Sequence, residues 1–217
     1  SHLLIAAGRK PNIGKLDLDV AGVVTLRGVV KVDASLRSTN RRIYAVGDVA
    51  GAQQFTHLAG YHAGVVIRAM LFGLRSRART DHIPRVTYTD PELAQIGLSE
   101  TQARATHDAR LEVVRFDMAE NDRARTEGRA RGLIKLMVVR GRPVGVSIAG
   151  PQAGELINLW ALVLANRLKI GAVANMVSPY PTLGEVNKRV AGAYYAPRLF
   201  ENPKVKHIVR FVQKYLP

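Results

Sequence analysis

Residues 3–7, Leu-Leu-Ile-Ala-Ala, form an uninterrupted apolar run that stops at Gly8, the pattern of a buried parallel strand ending in a loop. Such a strand is covered on both faces and needs neighbours. None lies ahead of Ser1, so the chain is expected to open inside a fold, with unpaired strand edges in its first segment. Two further strands are expected, at residues 29–32 and 43–46. An amphipathic helix is expected over residues 55–72, stopped by Gly73.

A basic stretch containing Arg75, Arg77 and Arg79 follows, and the character then changes. Residues 85–89 predict a strand, 99–106 a helix capped by Ser99, and 111–116 another strand. Residues 133–140 and 144–148 predict a hairpin across Gly141-Arg142-Pro143. Residues 152–168 are mostly apolar and predict a helix buried on more than one face. Residues 182–195 and 204–215 predict the last helices. Strands followed by packed helices make an α+β layer domain. Two domains are thus expected, residues 1–78 and residues 81–217.

Composition narrows the function classes. With 47% apolar and 23% charged residues the chain has enough to bury for a packed core. Apolar runs such as residues 159–165 are far too short to span a bilayer, and the start lacks a signal-peptide pattern. No membrane partner and a cytoplasmic setting are therefore expected. Cysteine is absent, which excludes disulfides and thiolate chemistry within these residues. The six histidines form no ligand pair, and no metal site is expected. The net charge of +15 raises nucleic-acid contact as a possibility. No zinc finger, extended basic block or aromatic-interleaved basic strand supports it, so a solvated basic surface is the preferred account.

The chemistry is carried by Ile43-Tyr-Ala-Val-Gly47-Asp48. A strand running into Gly-Asp places a carboxylate at the carboxyl edge of a sheet, where open α/β sheets bind ligands. Gly47 permits close approach to the backbone, and Asp48 accepts hydrogen bonds from sugar-like hydroxyls. A strand-Gly-Asp turn also serves as a purely structural device, and both roles stay open. Thr56 and His57 then start a helix whose positive end suits an electron-rich ligand edge.

This order, with Gly8-Arg9-Lys10-Pro11-Asn12 ahead of it, resembles the flavoprotein disulfide reductases, the family of glutathione reductase, dihydrolipoamide dehydrogenase and mercuric reductase. The second segment agrees. Tyr88-Thr89-Asp90-Pro91-Glu92 is similar to the opening of the family's interface domain, and Gly150-Pro-Gln-Ala-Gly-Glu155 to the start of its long interface helix. Ser178-Pro-Tyr180-Pro-Thr182-Leu-Gly-Glu185 falls on its His-Pro-Thr-x-x-Glu motif. The resemblance implies the C-terminal piece of an α/β, Rossmann-like FAD-binding domain followed by an α+β dimerisation domain. It implies FAD and NAD(P)H as cofactors of the intact enzyme and a homodimer as its assembly. Asp48 and Gly47 would serve the ribityl chain of FAD. Thr56, His57 and Leu58 would face the pyrimidine edge of its ring system, and Tyr180 and Glu185 would reach the partner's active site.

Two departures qualify this. Tyr180 stands where the family normally has a proton-relaying histidine, and a tyrosine near pKa 10 cannot be assumed to act as that base. A donor oriented by Glu185 and a packing role both stay open. Tyr180 and the wording Asn121-Asp122-Arg123-Ala124 are mercuric-reductase-like, yet the vicinal cysteine pair of mercuric reductases is missing, so metal-ion reduction is not expected. No GxGxxG occurs, and with it goes the loop that holds a dinucleotide pyrophosphate. The expectation is a partial flavin site, no nicotinamide site and no turnover by these residues alone. A non-catalytic dimerisation module is the alternative.

Overall fold

The computed structural model describes residues 1–51 and 53–216. The chain divides into two compact units, Ser1–Arg79 and Thr80–Pro217.

The first unit is irregular apart from one hairpin and one helix. β1 (Thr25–Leu26) pairs antiparallel with β2 (Val29–Val30), and α1 covers Thr56–Phe72. α1 ends as its sequence demands, with Gly73 in the left-handed conformation at φ 62°. Val23, Val30 and Ala45 make one small core, and Leu36, Val65 and Val66 another.

Two expected strands are not formed here. Residues 3–7 have no regular structure, and Leu3, Leu4 and Ile5 are 86%, 88% and 78% exposed. An apolar run becomes a strand only when another backbone takes up its N–H and C=O groups, and none does so. Residues 43–46 make only an isolated bridge, Arg37 to Tyr44. The Ser38 N–H to Ile43 carbonyl and Ala45 N–H to Leu36 carbonyl bonds make this bridge, and the Ile43 N–H to Asn40 carbonyl bond closes the turn beside it. Leu3, Leu4 and Ile5 are left as exposed coil, and the expected strand edge is not formed there.

The second unit is an antiparallel five-stranded sheet in the order β3-β4-β7-β6-β5. Its strands are β3 (Arg85–Thr87), β4 (Glu92–Gly97), β5 (Leu111–Asp117), β6 (Leu133–Val139) and β7 (Arg142–Gly150). The β6–β7 turn is tighter than its sequence implies. Arg140 and Gly141 alone make it, at φ 50° and 74°, and Pro143 lies inside β7 beside the register shift at Met137/Val138.

Side-chain alternation gives the sheet two covered faces. Ala94, Ile96, Ile134, Leu136, Val146 and Ile148 are fully buried beneath α4 (Ala153–Ala165) and α6 (Glu185–Phe200). Lys135 and Met137 have the opposite parity and meet α2 (Glu100–His107). Ser99 caps α2 in a reciprocal box with Gln102, as its sequence predicts. Glu100 then ties α2 to the sheet through Lys135 at 2.9 Å and Arg115 at 3.0 Å. These cations and Arg104 hold the Glu100 carboxyl down at about 2.

α4 is fixed at both ends of its buried face. Glu92 Oε2 accepts the Gly154 N–H at 2.9 Å, placing a carboxylate at the positive end of the helix. Buried Trp160 donates its indole N–H to Asn187 Oδ1 on α6 at 2.7 Å, while Asn187 Nδ2 donates to the Leu156 carbonyl. The short helices α3 (Asp122–Thr126) and α5 (Gly171–Ala174) complete the layer, and α7 (Pro203–Tyr215) extends beyond it with no buried residue.

Candidate functional site

In the first unit, Gly47 and Asp48 open a single 3₁₀ turn, Gly47–Ala50, set against the start of α1. Gly47 has φ 69°, and a Cβ there would lie 2.9 Å from Ala59 Cβ. Any larger residue would be strained and would push the turn off the helix. The Gly47 N–H donates to His62 Nδ1 at 3.2 Å, so the buried imidazole holds the turn in place. Burial pushes the His62 pKa below its usual 6.5, consistent with a neutral ring accepting that bond.

Asp48 is half-buried, and among the described residues its carboxylate has no hydrogen-bond or ion-pair partner. Nearby in sequence, Gln53 Oε1 is buried without a hydrogen-bond partner. Helix α1 begins without a side-chain cap, since Phe55 occupies that position, and the Phe55 ring stacks on His57 at 5.1 Å. Thr56 and His57 are exposed at the helix start. Leu58 is 1% exposed, and its N–H bonds to the Phe55 carbonyl, so it anchors the start of the helix from beneath. The structure thus brings Gly47 and Asp48 together with the α1 start.

Tyr180 and Glu185 lie in the second unit, and each has another partner. Tyr180 donates its hydroxyl to Asp122 Oδ2 at 3.0 Å, although 66% of the residue is exposed. This bond raises the phenol above its ordinary 10.0. Glu185, at the N-terminus of α6, pairs with Arg189 at 2.9 Å. The orienting partner of Tyr180 is therefore Asp122 rather than Glu185. The loop that presents Tyr180 is itself pinned. Asn121 caps α3 through the Ala124 N–H and donates its amide to the Thr182 carbonyl, while Thr182 Oγ1 donates to the Pro179 carbonyl. Beside it, Glu185, Arg189, Lys188, Arg115, Glu120 and Ser178 line an open cleft of about 620 Å³.

Sequence reasoning missed Asp122 and His62 as members of these clusters. Asn121-Asp122 carried a readable cap-and-first-turn signal for α3. Nothing local links His62 to Gly47 or Asp122 to Tyr180, since those pairs are 15 and 58 residues apart.

A helix-backed Gly-Asp turn followed by an antiparallel α+β unit is the arrangement that the resemblance to flavoprotein disulfide reductases implies. The chain belongs to the pyridine nucleotide-disulphide oxidoreductase family. Residues 83–191 match its dimerisation domain, and residues 1–63 match the domain described as pyridine nucleotide-disulphide oxidoreductase. It is 36% identical to a mercuric reductase of Shigella flexneri over 196 residues, covering 88% of this chain and 34% of that protein. It is 32% identical to a dihydrolipoyl dehydrogenase of Bacillus subtilis over 186 residues, covering 85% of this chain and 40% of that one. Among solved structures, LpdA from Mycobacterium tuberculosis superposes with a TM-score of 0.82 at 25% identity, over 88% of this chain and 42% of that one. The Cu(II) complex of the flavoprotein disulfide reductase RclA from Escherichia coli gives 0.78 at 29% identity, over 86% and 43%. The chain thus spans less than half the length of these relatives.

FAD is the group this family implies. The Asp48 carboxylate fits a polyhydroxylated ligand, since among the described residues it has no hydrogen-bond or ion-pair partner, and Gln53 Oε1 is likewise buried without one.

Proposed function

We propose that these residues supply part of the FAD site and the dimer interface of an NAD(P)H-dependent flavoprotein oxidoreductase. The observation that carries this is Asp48, a half-buried carboxylate with no internal partner, fixed beside a helix start by the Gly47–His62 bond. Asp48 accepts hydrogen bonds from ligand hydroxyls, Gly47 lets the turn that carries Asp48 pack against Ala59 of α1, and Thr56 and His57 present the positive end of that helix. Leu58 holds that helix start in register. The chemistry supplied by a bound FAD is acceptance of a hydride from NAD(P)H and delivery of electrons to a disulfide or another acceptor.

Tyr180 then acts as a proton donor or hydrogen-bond donor. A phenol is protonated at neutral pH, and the bond to Asp122 raises its pKa further above 10.0, which makes it a poor stand-in for a histidine base. Residues 81–217 form a homodimer in which Tyr180 and Glu185 face the partner's flavin site, and residues 1–78 form the flavin-domain piece. With no glycine-rich phosphate loop among the 217 residues, the chain by itself behaves as an association module without turnover.

The test compares Asp48→Ala with Gly47→Val by thermal unfolding of the first unit. A ligand carboxylate is dispensable for folding, so Asp48→Ala melts like the parent sequence while Gly47→Val is clearly destabilised. Equal destabilisation by both would make Asp48 a structural residue and remove the assignment.

A further inference from the structure

α7 is an amphipathic helix that the fold does not use. Its 13 residues include none that is buried, and Ile208, Phe211 and Tyr215 are 59%, 56% and 58% exposed. At about 100° per residue, Ile208, Phe211, Val212 and Tyr215 share one side, and Lys206, Arg210 and Lys214 form a stripe on the other. Lys204, four residues before Ile208 and seven before Phe211, lies on the apolar side at the first turn. From Asn202 to Leu216 there is no acidic residue. The Phe211 and Tyr215 rings meet at 4.9 Å, making a continuous aromatic surface.

We propose that α7 docks on an anionic lipid surface, lying in the plane of the membrane with its apolar side in the acyl boundary and its cations at the headgroups. Apolar residues opposite a basic stripe are the features such a helix needs. The charge pattern favours this occupant over a second copy of the chain: a self-packed pair would cover the apolar side but leave the stripe of Lys206, Arg210 and Lys214 without an opposite charge, whereas an anionic surface takes up both. A nucleic acid would satisfy the cations and leave the apolar side in water. The helix is about 20 Å long, too short to cross a bilayer, and no described helix is long and apolar enough to do so. The sequence-level expectation of no membrane partner rested on the lack of a spanning segment, a criterion blind to a helix that lies flat.

The test is co-sedimentation of the full 217-residue chain with vesicles of phosphatidylglycerol and phosphatidylcholine, and with vesicles of phosphatidylcholine alone. The chain sediments with the anionic vesicles and not with the neutral ones, and the partition weakens as salt is raised. Ile208→Glu with Phe211→Glu lowers the anionic partition by roughly tenfold or more, and so does Lys206→Glu with Arg210→Glu. Because α7 buries nothing, both variants keep the near-ultraviolet signal of Trp160. Three results would overturn the proposal. One is no sedimentation with anionic vesicles. Another is binding undiminished by Ile208→Glu with Phe211→Glu, which would reduce it to general basic charge. The third is an oligomer of the parent chain that this variant dissociates, which would make a second copy the occupant.

Discussion

The Tyr180 hydroxyl and Asp122 Oδ2 lie 3.0 Å apart, joining the loop before α6 to the first residue of α3. This bond, more than the tyrosine itself, sets what the position can do. It raises the phenol above 10.0 chiefly through the hydrogen bond to Asp122, and secondarily through the charge of that carboxylate. A group raised in the folded state contributes its stabilisation below the unfolded value and loses it as pH rises through the folded one. The Tyr180–Asp122 bond is therefore intact at neutral pH and is lost in alkali as the phenol ionises. Asp122→Asn should move the Tyr180 titration down toward 10.0, read as the tyrosinate absorbance difference against Tyr180→Phe. An unchanged titration would show that Asp122 does not hold the hydroxyl.

Asn187 is the polar member of an otherwise apolar layer, taking the Trp160 indole N–H and giving its amide to the Leu156 carbonyl. Asn187→Ala leaves the Trp160 donor buried without a partner. The expected cost is about 2–3 kcal/mol, from loss of the bond together with the unsatisfied group. Denaturant unfolding followed by fluorescence of Trp160, the one tryptophan of the chain, measures it. A loss below about 0.5 kcal/mol would mean that water or a shifted neighbour satisfies the indole.

His62 gives the Gly47 turn a pH dependence. Burial lowers its pKa below 6.5, so around that pH the unfolded chain binds a proton that the folded unit resists. Stability of the first unit is full above 6.5 and declines as pH falls through that value, because a protonated Nδ1 cannot accept the Gly47 N–H. Hydrogen-exchange protection of the Gly47 amide, corrected for intrinsic rate, should drop over this range and be flattened in His62→Gln. Protection independent of pH in the parent chain would contradict the account.

The junction between the units is expected to be the first site of tryptic cleavage. Arg75 and Arg77 are exposed and outside regular structure, whereas the Ala78 N–H bonds to the Ala34 carbonyl and the Arg79 N–H to the Tyr61 hydroxyl. Mass spectrometry of early products should find new N-termini at Ser76 and Ala78. Resistance there, with cuts elsewhere, would argue against a domain boundary near Arg79.

What was legible in the sequence had local causes. α1 could be ended at Gly73 and α2 started at Ser99 because each boundary is written in one residue's backbone or side-chain preference. The family motifs singled out Gly47, Asp48, Tyr180 and Glu185 by order alone, and the fold brings Gly47 and Asp48 to the start of α1 while Tyr180 and Glu185 bond to Asp122 and Arg189. What failed depended on partners distant in sequence. Residues 3–7 and 43–46 have strand composition but no ladder to join. β4 was missed for the opposite reason: Leu93-Ala94-Gln95-Ile96 alternates, but its buried positions include a small alanine that carries little apolar signal. Asp122 and His62 are invisible to spacing because their partners lie on other elements. The same limit hid α7, whose pattern predicts a helix while only the fold shows that none of its residues is buried among the described residues.

The most direct measurement is an absorbance spectrum of the purified chain after incubation with FAD and desalting. The partial site proposed here has Asp48 and the α1 start but no phosphate loop, so the desalted protein should be colourless. Retention of the visible flavin bands would mean that these 217 residues bind FAD by themselves, contradicting the account of a chain that associates but does not hold its cofactor.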